Sequence, residues 1–325
     1  MARVTDRLTE AAHAARVLAR SGALMPTRPD RLARMAGAVR HWGVSLGGLF
    51  AASGARFGDR TAIVDEYGTA SFAELDRRTD ALARAFIASG IRGGDVVGIL
   101  CRNHRSLFDA TGGLAKLGVD VLYLNTGFAA PQLREVADRE GVAAIVHDDD
   151  FAELASEAGA QPRIDTTTLE TMISRFASGP RPPRPERESR TIILTSGTTG
   201  TPKGARQQHT DDTGGLALLE RIPYHAGETM VVAAPAFHSW GLANSIIGLL
   251  LGNTLVMRGH FDPEATLAAI ERHRAQVLVA VPVMLMRILE LPADVRARYD
   301  TSSLRFVPLS GSALPGRLAT DFMDA

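Results

Sequence analysis

The chain contains very little cysteine and very little lysine. Cys101 is the single cysteine among 325 residues, which excludes an internal disulfide and a zinc site built on paired cysteines. Lys116 and Lys203 are the only lysines, and arginine carries the remaining basic charge. The formal net charge is zero, so the composition predicts no nucleic-acid partner. A lone reduced thiol fits a cytoplasmic protein.

The sequence also lacks an apolar stretch long enough to cross a bilayer. The longest apolar run, residues 242–257, is interrupted by Asn244 and Gly252, and the N-terminus has no apolar core of a secretory signal. Apolar residues near the N-terminus recur at helical spacing, with arginines between them: Val4, Leu8, Ala11, Ala15 and Leu18. This N-terminal helix could make weak peripheral contact with a membrane. Docking against a soluble enzyme is the alternative, which the alanine-rich face favours.

From about residue 60 onward, short apolar runs alternate with amphipathic segments. This alternation predicts an α/β fold with parallel sheets flanked by helices. Most predicted strands are apolar throughout, as strands buried on both faces are. The predicted strands are 96–100, 119–122, 143–146, 190–195, 230–233, 254–256, 277–280 and 304–309.

Local signals place two helices and one turn. An apolar stripe predicts one helix, and its residues are Phe72, Leu75, Leu82 and Phe86. Asp262 followed by Pro263 predicts an N-cap and the first turn of another helix. The run His-Asp-Asp-Asp at 147–150 is interpreted as a solvated turn and N-cap rather than a cation site.

A segment rich in proline, arginine and serine, residues 178–189, interrupts the alternation. Such a composition does not form regular structure, so we interpret it as an exposed connector. The chain is therefore divided into a helical lead-in (1–45), a first α/β region (46–177), the connector (178–189) and a second, incomplete α/β region (190–325).

A loop rich in glycine and hydroxyl groups follows one predicted strand, in the sequence TIILTSGTTGTPKGA at 191–205. Ligands of open α/β sheets bind at the carboxyl ends of strands. Glycines allow backbone N–H groups to converge on an anion, hydroxyls add donors, and a lysine adds a point charge suited to phosphate. We therefore predict a phosphate site over the turn 196–204. Its candidate residues are Thr195, Ser196, Gly197, Thr198, Thr199, Gly200 and Lys203.

Two other interpretations of this loop were weighed. A loop of serine and glycine is often only a flexible surface connection. A Walker A loop is disfavoured because no glycine precedes Lys203 and no serine or threonine follows it, which argues against an ordinary P-loop phosphotransferase.

The loop resembles the signature of the adenylate-forming superfamily, which includes acyl-CoA synthetases, aryl-CoA ligases, luciferases and peptide-synthetase adenylation domains. Four further segments are similar to family motifs, in the family's order: 70–100, 114–125, PAFHSWG at 235–241 and LSGSALP at 309–315. The resemblance covers the chain from about residue 45 onward and is greatest to bacterial fatty-acyl-CoA synthetases.

The resemblance implies a two-step reaction that uses ATP, Mg²⁺ and CoA. A fatty acid carboxylate attacks the α-phosphorus of ATP, pyrophosphate leaves, and the CoA thiol then displaces AMP. The glycine-rich loop would hold the outer phosphates, with Lys203 as a catalytic cation and Thr195 near the metal. The backbone of Gly311, Ser312 and Ala313 would line the adenine and the acyl head group.

The resemblance also singles out one histidine. His238 would contact the acyl carboxylate and the α-phosphate, Trp240 would wall the acyl pocket, and Gly241 and Gly311 would border the substrate. Most histidines are structural, and that interpretation is kept for His104, His147, His209, His260 and His273. Met284 and Met286 suit either a tunnel for an acyl chain or ordinary packing.

The sequence ends at Ala325, before the family's aromatic-Gly-x-Thr-Glu motif and its small C-terminal lid. We therefore expect the large N-terminal domain of an acyl-CoA synthetase, truncated before the lid, with half of an adenylation site. An acyl-AMP ligase or an aryl-CoA ligase stays open within the superfamily. A non-catalytic fragment that binds nucleotide or acyl groups stays open from another class.

Overall fold

The computed structural model describes residues 12–159, 162–195, 203–207 and 213–324. Of Thr195, Lys203, residues 205–207 and residues 213–214, only the backbone is described. Within these ranges, no helix is both long and apolar enough to span a bilayer.

The first sheet has five strands in the order β11-β9-β10-β1-β2, all parallel except β2, which is antiparallel to β1. Its strands are β1 (Thr61–Asp65), β2 (Gly68–Ser71), β9 (Thr229–Val232), β10 (Thr254–Met257) and β11 (Val277–Val279). Register is set by pairs such as Ile63 with Leu255 and Leu255 with Met230.

The second sheet has six strands in the order β6-β5-β3-β4-β7-β8, parallel except for the antiparallel pair β7–β8. Its strands are β3 (Val96–Leu100), β4 (Asp120–Tyr123), β5 (Val142–His147), β6 (Arg163–Asp165), β7 (Thr191–Thr195) and β8 (Lys203–Gln207). The inner strands β3 and β4 are buried along their whole length, which explains their continuous apolar sequence.

Helices connect and cover the strands. In chain order they are α1 (12–20), α2 (Pro29–Trp42), α3 (Leu46–Phe57), α4 (Phe72–Ala88), α5 (Arg105–Ala115), α6 (Ala130–Glu140), α7 (Ala152–Ser156), α8 (Thr166–Arg175), α9 (Thr213–Arg221), α10 (Ser239–Leu251), α11 (Pro263–His273), α12 (Pro282–Leu289), α13 (Ala293–Arg296) and α14 (Gly316–Asp324). The predicted fold class, parallel sheets flanked by helices, is confirmed.

One hydrophobic core is shared by the two sheets. Ile63 of β1, Leu255 of β10 and Val97 of β3 belong to the same buried cluster as Phe86 of α4 and Phe108 of α5. Each of these side chains is fully excluded from solvent. Burial of this kind is the main stabilising term of a fold, so the sheets and helices α4 and α5 are expected to unfold together.

The local helix predictions are confirmed. The predicted stripe lies on α4, and Phe72, Leu75, Leu82 and Phe86 are all buried. The Asp262 carboxylate accepts a hydrogen bond of 2.6 Å from the Ala265 N–H and caps α11.

The predicted strand at 304–309 is wrong. Only isolated bridges form there, between Phe306 and Val277 and between Leu309 and Ala280. Pro308 has no N–H to donate to a ladder, which prevents a continuous strand at this position.

The segments on the two sides of the connector do not form separate sheets. Strand β1, from the first segment, pairs with β10 and joins β2 to that sheet, whereas β7 and β8, from the second, extend the sheet of β3 to β6. Residues 178–189 contain no helix or strand, as predicted. They are nevertheless fastened down, because Arg84 donates to Pro180 O and Arg187 forms an ion pair with Asp120 at 2.9 Å.

Candidate active site

The carboxyl ends of parallel strands from both sheets face one cleft of about 310 Å³. This is the position at which open α/β sheets bind ligands. Residues after β3, β4 and β5 line it from one sheet, and residues after β9 and β10 line it from the other. The lining residues are Arg102, Asn103, Thr126, Phe151, Ala233, Pro235, Phe237, Arg258, Gly259, His260, Phe261 and Met284.

Asn103 joins the two sheets at this cleft. Its side-chain amide is buried and donates to Val232 O at 3.1 Å and Ala234 O at 2.9 Å. Its side-chain oxygen accepts a bond of 2.7 Å from the Ala236 N–H. A single side chain after β3 therefore satisfies three backbone groups in the turn after β9, and it fixes that turn in place.

Gly241 allows the same turn to pack closely against α10. A Cβ atom at Gly241 would lie 2.3 Å from Pro235 O and 2.7 Å from Ala234 O. Both contacts are with backbone atoms, which cannot swing away as a side chain could. The turn that carries His238 is thus held by α10 on one side and by Asn103 on the other.

His238 and Trp240 lie where this turn enters α10. His238 is the N-cap residue of the helix, and its ring lies 4.6 Å from that of Phe237. Partial burial of the ring lowers the pKa of His238 below its usual value, although the residue as a whole is exposed. The indole Nε1 of Trp240 donates to Ala280 O at 3.2 Å, at the end of β11. Neither side chain lines the cleft itself, whereas Phe237 does.

The residues predicted to hold adenine lie at the same edge of the first sheet. The bridge between Leu309 and Ala280 brings residues 309–313 beside the end of β11. Gly311 has a φ of +94°, a conformation that favours glycine, and a Cβ there would lie 3.5 Å from Val281. Gly311, Ser312 and Ala313 are exposed, so their backbone groups are accessible to a ligand.

The strands on either side of the predicted phosphate site pair with each other. Thr195 ends β7 and lies in register with Lys203, which begins β8. The predicted turn over 196–204 is therefore too long, because Lys203 and Gly204 belong to a strand. Its remaining candidates lie outside the described residues, namely Ser196, Gly197, Thr198, Thr199 and Gly200.

The cleft is basic. Arg102, Arg258 and His260 line it, and no carboxylate is found among the described lining residues. Arg102 is held by an ion pair of 2.8 Å to Asp150 and by its position over the Phe151 ring. Such a lining favours an anion. Sequence reasoning missed Asn103, Arg102 and Arg258 and interpreted His260 as structural; their position directly after strands was the available signal.

Cys101, His104 and Asp148 form a buried polar cluster behind the cleft, with ligand atoms within 4.8 Å of one another. His104 Nε2 lies 2.7 Å from the Asp148 carboxylate. Burial raises the pKa of Asp148, but the hydrogen bond and charge of His104 outweigh it, so the net pKa lies below the usual value. Burial raises the pKa of Cys101, which favours a neutral thiol.

The run at 147–150 is only partly solvated, because His147 and Asp148 are buried whereas Asp149 and Asp150 are exposed. No side chain of the run caps the helical turns that follow it directly, but Asp149 accepts a bond of 3.2 Å from the Thr167 N–H in the first turn of α8. Asp149 also accepts bonds from the hydroxyls of Thr166 and Thr167, at 2.7 and 2.8 Å. The N-cap interpretation was wrong because these carboxylates bond to neighbouring elements rather than to their own helix.

The two methionines considered for an acyl tunnel lie in different surroundings. Met284 is buried and borders the cleft, whereas Met286 is exposed and lies at a separate surface pocket with Val283. Only Met284 is thus placed to contact a ligand in the cleft.

The described residues fit part of a nucleotide site. The basic cleft suits phosphate, and the exposed backbone at 311–313 suits a planar base or head group. The cleft lining offers no carboxylate, the ligand that Mg²⁺ prefers alongside phosphate oxygens.

Comparison with known proteins gives one family. The model of the AMP-binding enzyme family matches residues 50–325. A feruloyl-CoA synthase from Amycolatopsis sp is 31% identical over 92% of this chain and 56% of its own length. A 2-succinylbenzoate–CoA ligase from Geobacillus kaustophilus is 28% identical over 79% of this chain and 51% of its own. The chain spans about half the length of these relatives.

Solved structures share the fold. An inhibitor-bound N-terminal domain of FACL13 from Mycobacterium tuberculosis superposes with a TM-score of 0.79 at 22% identity, covering 86% of this chain and 73% of that one. A fatty acyl CoA synthetase from the same organism gives a TM-score of 0.76 over 86% of this chain and 57% of that one.

Proposed function

The chain belongs to the AMP-binding enzyme family, and we propose that it supplies the N-terminal part of an ATP-dependent acid–CoA ligase. One observation carries the proposal beyond family membership. The turn with His238, the end of β11 and the exposed backbone at 311–313 meet at one sheet edge, beside a basic cleft. The six residues that the resemblance assigned to adenine and acyl binding lie along this edge, which supports the proposal.

In this proposal the chain positions reactants and stabilises charge. Ser196, Gly197, Thr198, Thr199, Gly200 and Lys203 would hold the outer phosphates of ATP, and Thr195 would be the residue near Mg²⁺, which would neutralise phosphate charge when bound. His238 enters the reaction as a neutral imidazole at neutral pH, since its pKa is lowered, and it contacts the acyl carboxylate. Donors fixed before the reaction cost no reorganisation as charge develops, which is where such sites gain most of their rate.

The acid has an apolar body. Phe237, Phe261 and Met284 add apolar side chains to the lining of the cleft. The resemblance implied a fatty acid. The two relatives compared above are named for other substrates, one for a feruloyl group and one for 2-succinylbenzoate. We propose an aryl or fatty carboxylic acid as the substrate, CoA as the acceptor, and a site of action in the cytoplasm.

ATP–pyrophosphate exchange tests this function. The folded chain is assayed with ferulate, coumarate and fatty acids of increasing length, and Lys203→Ala serves as the inactive reference. Exchange that depends on one acid class supports adenylation and identifies the substrate. Nucleotide binding without exchange supports the non-catalytic alternative, and exchange unchanged in Lys203→Ala contradicts the role of the loop.

A further inference from the structure

The helical region before residue 50 exposes an unusual number of large apolar side chains. Leu24, Met25, Leu32, Val39 and Val44 are between 41% and 67% exposed. They make up nearly half of the large apolar residues that are exposed in the described part of the chain. Scattered exposed apolar residues are normal, but a concentration within some twenty residues indicates an interaction surface.

Helix α2 shows that this exposure is organised. Ala38 and Trp42 are buried, and the helix packs on α3 along that side. Leu32, Ala36 and Val39 follow the spacing i, i+4, i+7 and are all exposed, so they form a second apolar stripe on the outer side. A surface helix of a soluble protein normally carries polar residues there.

The charge of the region is strongly one-sided. Between residues 11 and 58 the sequence has seven arginines, no lysine and one acidic residue, Asp30, although the whole chain is neutral. Asp30 is already paired with Arg28 at 3.1 Å and Arg34 at 2.9 Å. Arg16, Arg20 and Arg40 are exposed as well, and Arg40 lies one turn after Ala36 beside the outer stripe.

We propose that this N-terminal surface, defined as the exposed side chains of Leu24, Met25, Leu32, Val39 and Val44 with those of Arg16, Arg20 and Arg40, docks through the outer stripe of α2 on the anionic face of a lipid bilayer. Apolar side chains enter the boundary between head groups and acyl chains, while arginines remain at the level of the phosphates. The surface lies outside residues 50–325, which the family model covers, so the proposal stands apart from the enzymatic one. The charge complementarity favours an anionic membrane over a second, equally basic copy of the same surface.

Flotation of the full chain with lipid vesicles tests the proposal. Vesicles of phosphatidylcholine alone are compared with vesicles that also contain phosphatidylglycerol, at low and high salt. We expect binding only to the anionic vesicles and weakening by salt. Leu32→Ser with Val39→Ser should lower the partition coefficient on the order of tenfold. Each of Arg16→Gln, Arg20→Gln and Arg40→Gln should lower it on the order of fivefold.

The double variant Val283→Ser with Met286→Ser is the matched control, since it removes an exposed apolar pair from α12. It should bind vesicles as the unmodified chain does. Failure of the unmodified chain to bind anionic vesicles, or an equal loss in the control, overturns the proposal. If the Leu32 and Val39 substitutions instead abolish a dimer seen by light scattering and leave vesicle binding unchanged, the surface joins two copies of the chain.

Discussion

Gly241 and Asn103 show how few side chains determine the geometry of the site. A Cβ atom at Gly241 would lie 2.3 and 2.7 Å from two backbone oxygens. The Asn103 side chain bonds to three backbone groups at the end of β9 and in the turn that follows it. The resemblance pointed to Gly241 because it belongs to a motif. Asn103 belongs to no quoted motif. Its position after a predicted strand was a signal for the binding edge, but its partners lie more than a hundred residues away, so the sequence could not show which groups it bonds.

Gly241→Ala should destabilise the chain by about 3 kcal/mol, because overpacking against backbone atoms cannot relax. Urea unfolding measures the change. Gly37→Ala in α2 is the control, since no atom lies within 4 Å of a Cβ there, and it should be neutral or stabilising by up to about 1 kcal/mol. Equal effects at both positions would show that the contact at Gly241 is not tight.

Lys203→Ala should weaken the binding of ATP more than that of AMP. The lysine is proposed to face the outer phosphates, which AMP lacks, and a charge-assisted bond contributes about 2 kcal/mol. Calorimetric titration with each nucleotide measures the difference, and AMP is the internal control. Equal losses for the two nucleotides would contradict the assignment.

Asp148→Asn should remove stability that depends on pH. The pKa of Asp148 is lowered in the folded chain, so its contribution is complete above the unfolded value near 3.8 and is lost as pH falls through the lower folded value. The variant should therefore lose on the order of 2 kcal/mol at pH 7, and the difference should shrink in acid. Urea unfolding over this range, with the exposed Asp150→Asn as control, measures it. A stability difference between the unmodified chain and Asp148→Asn that grows as pH falls would show that the pKa of Asp148 is raised rather than lowered.

At the scale of elements, strand prediction succeeded where the sequence is apolar throughout. Seven predicted strands lie within one or two residues of the structure, because burial on both faces demands continuous apolar sequence. The prediction missed β1, an inner strand of the first sheet in which only Ala62 and Ile63 are buried. It also missed β2, β6 and β8, which lie at sheet edges, where a strand pairs on one side only and need not be apolar throughout. Because β8 was not predicted, the predicted turn at 196–204 included Lys203 and Gly204, which belong to that strand.

Asn103→Leu should separate the end of β3 from the turn after β9. Leucine has a similar size but leaves Val232 O, Ala234 O and the Ala236 N–H without their partner, at a cost of about 3 kcal/mol. The turn carries His238, so any acid-dependent exchange should fall as well. Asn125→Leu is the control, because Asn125 bonds only the nearby Gly127 N–H, and it should cost less than about 1 kcal/mol. Equal losses of stability in the two variants would show that the bonds of Asn103 do not hold the turn in place.

At the scale of the whole molecule, the chain crosses between its sheets twice. Composition indicated that residues 178–189 have no regular structure, but it could not show that β1 and β2 belong to the sheet of β9, β10 and β11. Pairing between strands distant in sequence leaves no local signal, since each strand satisfies the same apolar pattern whichever partner it has.

Cleavage at the connector should therefore not divide the molecule. A specific protease site is introduced at residues 183–186, an irregular and largely exposed stretch, and the chain is cut there after folding. The two pieces should remain together on gel filtration and unfold in one transition, because β1–β10 and β4–β7 pairing and the shared core hold them. Separate elution of two folded pieces would mean that the segments are independent domains.

We propose that one edge of the first sheet, with the adjoining basic cleft, binds an acyl-adenylate. Calorimetry with a hydrolysis-resistant acyl-sulfamoyl adenosine, in feruloyl and lauroyl forms, tests it most directly. We expect one binding site per chain. The analogue should bind more tightly than AMP or the free acid, because it fills the nucleotide and acyl parts of the site together. Absence of binding by ATP, AMP and both analogues, in a chain that unfolds cooperatively, would contradict it.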